Sequence, residues 1–171
     1  MNQTEVEKII DRSSDGNGFP VQLMRIASEL DISVKMTEEW DDRQSGSLAH
    51  IDGKFIIFLN SKHSQLRNRF TLAHEIGHYV KHRNQITVGQ EVVSTYLKPA
   101  AGVLNRIKDT NSYNQTEREA DEFAAELLMP ENEFRKKWRQ AETIEEIADY
   151  FLVSVSAATV RGLKLDLGYF A

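Results

Sequence analysis

The sequence predicts an α+β fold, mainly helical, with a small three-stranded β-sheet near its start and a helical tail at its C-terminal end. Three observations carry this. Apolar residues recur at near-helical spacing around residues 20–31, 65–81 and 116–129. Three short β-prone runs lie between the first two of these, and Asp52-Gly53 joins two of the runs. Beyond Pro130 only short helical patterns follow.

Taken in order, residues 3–12 and 20–31 read as helices, separated by the turn composition of Asp15-Gly16-Asn17-Gly18. The second helix has Pro20 in its first turn and Val21, Leu23, Met24, Ile26, Ala27 and Leu30 at helical spacing. Ile32 to Met36 alternates apolar and polar residues and reads as a strand. The acidic stretch Glu38–Gly46 reads as a loop. Ser47–Ile51 and Lys54–Asn60 then form a hairpin, because Asp-Gly supplies the positive φ of a primed turn. A helix over Gln65–Lys81 has Ser64 as its cap. Residues 83–115 are polar, contain Pro99 and Gly102, and read as a long loop of the kind that serves as a lid. The next helix, Thr116–Met129, is expected to be capped by Thr116 with Glu119 as its capping-box partner. Helices near 131–141, 143–151 and 154–164 finish the chain.

The 171 residues suit a single domain: 1–62 with helices and sheet, 63–130 with the long connection, and 131–171 as the tail. Hydrophobic residues at 40% and charged residues at 27% exclude disordered and collagenous classes. No apolar run approaches the roughly 18 residues of a membrane span. The start MNQTEVEKII lacks the apolar core of a secretory signal, so a cytoplasmic protein is expected. A formal charge of −5 argues against a general affinity for phosphate backbones. There is no cysteine, which excludes disulfide scaffolds, thiol nucleophiles and cysteine-ligated zinc. There are five histidines, and His74, His78 and His82 fall within nine residues.

That cluster carries the chemistry. His74-Glu75-Ile76-Gly77-His78 is an HExxH pattern set in an apolar, helix-compatible stretch. Residues four apart share one helix face, so both imidazoles can reach one tetrahedral metal ion. Glu75 is rotated by about 100° from His74, beside the metal rather than on it, where it suits a general base acting on water. Gly77 allows a facing element to approach closely. Burying two imidazoles and a carboxylate on so apolar a helix is costly unless they are paired or bind metal.

A catalytic metal needs a third protein ligand. Without cysteine this is a histidine or a carboxylate, and the helix Glu117–Pro130 offers several carboxylates. Glu117 and Asp121 flank its apolar stripe of Ala120, Phe123, Ala124, Leu127 and Leu128, whereas Glu119 and Glu126 point more outward. Glu117 is therefore the best candidate ligand, and Asp121 a candidate partner that orients a ligating histidine.

FTLAHEIGHYVKH (Phe70–His82) together with EREADEFAAELLMP (Glu117–Pro130) resembles the ImmA/IrrE family of metallo-endopeptidases. Pro20–Val34 is similar to that family's entry helix and first strand, and Gly46–Asn60 to its hairpin ending in Asn. The resemblance implies a zincin-like metalloprotease core with one zinc ion. It implies His74, His78 and Glu117 as ligands and Glu75 as catalytic base. It also implies a helix-turn-helix repressor as protein substrate, of the kind encoded on mobile elements or in toxin–antitoxin-like pairs. The 39 positions from His78 to Glu117 exceed the family's usual spacing, and part of 83–115 is expected to form a mobile flap over the metal.

The remaining features have plainer readings. His82 drifts about 80° from His74 and is expected at the surface or behind the ligands. His50 could reach a substrate but reads first as a surface residue, and His63 lies in a loop. Strand Ser47–Ile51 could pair with an extended substrate at an open sheet edge, or be an ordinary core strand. Residues 143–168 look like a helix-turn-helix, yet four acids against Arg161 and Lys164 make a poor phosphate surface. No membrane or direct nucleic-acid partner is expected. The expected activity is that of a regulatory zinc endopeptidase; the alternative is a non-catalytic, metal-containing regulator that binds a repressor.

Overall fold

Asp52 and Gly53 both take positive φ, 50° and 76°, as a two-residue primed turn requires. This turn sets the sheet. It joins β2 (Gln44–Ile51) to β3 (Lys54–Asn60), which pair antiparallel with Leu48 opposite Ile57 and Gly46 opposite Leu59. β1 (Ile32–Thr37) lies parallel to β3, with Val34 opposite Ile57. The structure is a computed structural model that describes residues 8, 18–89, 91–95 and 115–168. Apart from residue 8, the helix expected over 3–12 falls outside the described residues, as does most of the expected flap.

The three expected strands are present, and a fourth joins them. β4 (Glu91–Thr95) comes from the stretch read as a loop and pairs antiparallel with β2, giving the order β1-β3-β2-β4. Of the two readings of Ser47–Ile51, the core strand holds and the open edge does not, because β3 and β4 pair with β2 on both sides. Ser45 to Ala49 are buried without interruption, as befits an interior strand covered on its faces.

α1 (Leu23–Glu29) starts three residues after Pro20, shorter than the periodicity suggests. It ends where Asp31 takes a φ of 55° and turns the chain into β1. α2 (Gln65–His82) is capped by Ser64, whose Oγ accepts from the Arg67 backbone N–H at 3.3 Å. Leu72, Ala73 and Ile76 of α2 join Leu48, Ile57 and Leu59 of the sheet in one core. Buried Asn60 closes the preceding loop, donating to the carbonyls of Asp41 and Gln44 at 2.8 Å each. No helix among the described residues is long and apolar enough to cross a membrane.

α3 (Gln115–Leu128) buries the expected stripe of Ala120, Phe123, Ala124, Leu127 and Leu128. It lies against α2 so closely that a Cβ on Gly77 would stand 3.1 Å from the Ala120 carbonyl oxygen and 3.1 Å from Phe123 Cδ1. Thr116 is inside this helix rather than its cap, and Glu119 Oε1 accepts instead from the side chain of Gln115 at 2.7 Å.

The tail consists of α4 (Glu131–Gln140), α5 (Ile144–Phe151) and α6 (Val155–Lys164), with Thr143 and Ser154 capping the last two. Phe151 packs between Phe19 and Phe134, with ring centroids 5.0 and 5.6 Å away. Arg161 is buried, donates from Nε to the Met129 carbonyl at 3.0 Å and pairs with Glu126. Glu126, expected to point outward, is therefore turned inward by a partner 35 residues along the chain. One of the two basic residues of α6, the other being Lys164, is thus consumed inside the protein.

Candidate metal centre

His74 and His78 occupy successive turns of α2 on the side that meets α3, with their Nε2 atoms 3.0 Å apart. The carboxylate of Glu117, from the first turn of α3, closes the group: Oε2 lies 3.3 Å from His74 Nε2 and Oε1 3.1 Å from His78 Nε2. Asp121, one turn further along α3, accepts a hydrogen bond from His74 Nδ1–H at 2.8 Å. That bond fixes the ring and leaves Nε2 facing His78 and Glu117. The two candidate residues read from α3 thus reach one imidazole from opposite sides.

Electrostatics follow from this packing. Burial opposes a charge on His74, but hydrogen bonds to Asp121 and Glu117, with the Glu75 charge nearby, outweigh it and raise its pKa to about 10. Burial would raise the Glu117 pKa, yet hydrogen bonds to both histidines dominate and lower it to about 2. The group is a strongly polarised ion-pair cluster at the junction of two helices.

The donor set fits a divalent cation. Two imidazole nitrogens and a carboxylate oxygen lie within 4.8 Å of one another. Ligands at ~2.0–2.1 Å from a tetrahedral ion stand roughly 3.3 Å apart, which the separations of 3.0, 3.1 and 3.3 Å approach.

Glu75 is fully buried on the adjoining face of α2. β2 comes down on it at Gly46, where a Cβ would lie 2.8 Å from Glu75 Oε1 and 2.4 Å from Thr71 Cγ2. The sequence reading missed Gly46, and only the tertiary approach of strand to helix reveals it. Gly46→Ala must displace Thr71 and the Glu75 carboxylate together. Its expected cost is about 1–3 kcal/mol of stability, the usual range for overpacking, checked by urea denaturation beside the unsubstituted protein. A cost within about 0.5 kcal/mol of zero, the range of an unconstrained surface change, would count against this packing.

Of the two places expected for His82, it takes the one behind His78. It is not at the surface but 7% exposed, its ring 5.7 Å from that of His78 and its Nε2 3.6 Å from Glu119 Oε2. Burial and the neighbouring His78 lower its pKa, against the pull of Glu119 and a hydrogen bond to the Thr116 backbone. Glu119, read as outward, is half-buried against it. The other two histidines stay outside the group: His50 stacks on Phe55 at 4.3 Å, and His63 Nε2 lies 3.2 Å from the Asp42 carbonyl.

No curated protein matches the chain. A solved structure described as a Mycobacterium tuberculosis transcriptional regulator is similar to it, with a TM-score of 0.56 at 17% identity. The match covers 93% of this chain and 45% of that one, so the chain spans less than half the length of that protein. At this identity the likeness is one of fold. A family model described as IrrE N-terminal-like domain matches residues 27–162, a span that contains both the HExxH helix and the helix bearing Glu117. The family implies a metal, and His74, His78 and Glu117 form the group of described residues able to hold one. With most of its length under that match, the chain belongs to the ImmA/IrrE metallopeptidases.

Proposed function

We propose that this chain is a zinc-dependent endopeptidase, a single cytoplasmic domain whose substrate is a regulatory protein of the helix-turn-helix repressor class. The reading rests above all on the convergence of His74, His78 and Glu117 with a fully buried glutamate beside them. In it, His74, His78 and Glu117 hold the ion, and Asp121 keeps His74 in the tautomer that presents Nε2. A divalent ion so held supplies Lewis acidity, polarising a peptide carbonyl and acidifying adjacent water. Glu75 takes the proton from that water as it attacks and returns it to the leaving amine. Glu75 is fully buried, with Gly46 of β2 in close approach to its carboxylate.

The repressor class of substrate is carried over from the family resemblance, and a fold likeness to a transcriptional regulator is in keeping with it. Incubation of the zinc-loaded protein with helix-turn-helix repressors from its own genome, read by mass spectrometry, tests the whole reading. Discrete cleavage of one of them is expected. Tight binding without cleavage would replace this reading with that of a non-catalytic regulator.

The ion pairs also set a pH dependence. His74 has a folded pKa of about 10 against an ordinary 6.5. The stability it contributes in chelator is complete below 6.5 and is lost as pH rises toward 10. Glu117, lowered from 4.5 to about 2, contributes fully above 4.5 and loses its share as pH falls toward 2. His74 must give up its proton to ligate a cation, so zinc binding strengthens as pH rises. The increment in urea stability on adding saturating zinc is expected to grow from pH 6 to pH 8. An increment that is flat or shrinks over that range would contradict the proton linkage.

A further inference from the structure

α3 delivers Glu117 from its first turn, and helix ends fray unless something holds them. Here the turn is pinned from α2. His82, one turn beyond His78, hydrogen-bonds the Thr116 backbone and sets its Nε2 3.6 Å from Glu119 Oε2. The second distance is too long for a hydrogen bond but within ion-pair range. The two residues it meets flank Glu117, one immediately before it and the other two positions after. His82 is 7% exposed and lies against the His78 ring, so its own ring has little freedom.

We propose that His82 is a positioning residue: by fixing Thr116 and Glu119 it holds Glu117 in register with His74 and His78. It touches no metal or substrate in this assignment and acts only through Glu117. The inference rests on the reading of Glu117 as a ligand given above. It assigns a task to the third histidine of the row, one that direct ligation could not supply because of its rotation along the helix.

The test uses zinc affinity by chelator competition and the visible spectrum of the cobalt(II) form. His82→Phe fills the space but cannot donate a hydrogen bond, whereas His82→Gln can. His82→Phe is expected to weaken zinc about 10–100-fold, the usual effect of losing a partner behind a ligand, with an altered cobalt spectrum. His82→Gln should recover most of that loss, while both variants melt alike in chelator. In a Glu117→Ala background, His82→Phe should cost nothing further, because there is no ligand left to position. Wild-type affinity in His82→Phe would overturn the proposal, as would equal losses in the Phe and Gln variants or full additivity with Glu117→Ala. If Glu117→Ala alone leaves zinc affinity untouched, the ligand reading itself has failed, and the positioning role goes with it. A loss in Glu117→Ala beside wild-type affinity in His82→Phe rejects the positioning role alone.

Discussion

Glu75→Gln is expected to lower peptide cleavage by about 10²–10⁴-fold, the range for losing a general acid–base group, while zinc stoichiometry stays at one ion. Glutamine matches glutamate in shape, so the contacts with Gly46 and Thr71 survive and the fold is undisturbed. What disappears is the ability to accept a proton from water and pass it on. The separation of readouts makes the result decisive, since Glu75 lies on the adjoining face of α2 from the two imidazoles. Cleavage at the wild-type rate would remove Glu75 from the mechanism. Zinc lost along with activity would instead make it part of the metal cradle.

Glu117→Ala should act on the other half of the site. It removes the carboxylate that stands 3.1 and 3.3 Å from the two imidazoles, leaving two nitrogens to hold the ion. Zinc affinity is expected to fall by more than the roughly 100-fold that marks the upper end for partners behind a ligand. Asp121→Asn should fall within that lower range, because His74 keeps its ring position and loses only the charge behind Nδ1. The ordering of the two losses, measured by the same chelator competition, is the check. An Asp121 variant that binds zinc less tightly than the Glu117 variant would exchange their roles.

The parts of this molecule that the sequence discloses are those governed by local rules. The helical spacing of His74 and His78, the hairpin at Asp52-Gly53 and the cap at Ser64 all depend on neighbours a few residues away. Glu117 and Asp121 could be singled out because they flank an apolar stripe whose period is plain. What was hidden depends on partners far along the chain. β4 is a five-residue run, EVVST, within a stretch read as a loop, and its β-branched residues become a strand only where β2 offers an edge to pair with. Glu126 turns inward because Arg161 arrives from the tail, and Gly46 has meaning only once a strand descends on Glu75. The rotation that removes His82 from the ligand face is a correct deduction from helical geometry. Its burial follows from how far α3 overlaps α2, which no period records.

Gly77 gives the site its gauge. A side chain of even one carbon there would meet the Ala120 carbonyl and the Phe123 ring at 3.1 Å, and the two helices would have to part by a few tenths of an ångström. Metal–ligand distances tolerate about 0.2 Å. The hydrogen atom at this position therefore acts as a spacer of fixed thickness. The reach of two imidazoles from one helix and one carboxylate from the other is matched to it.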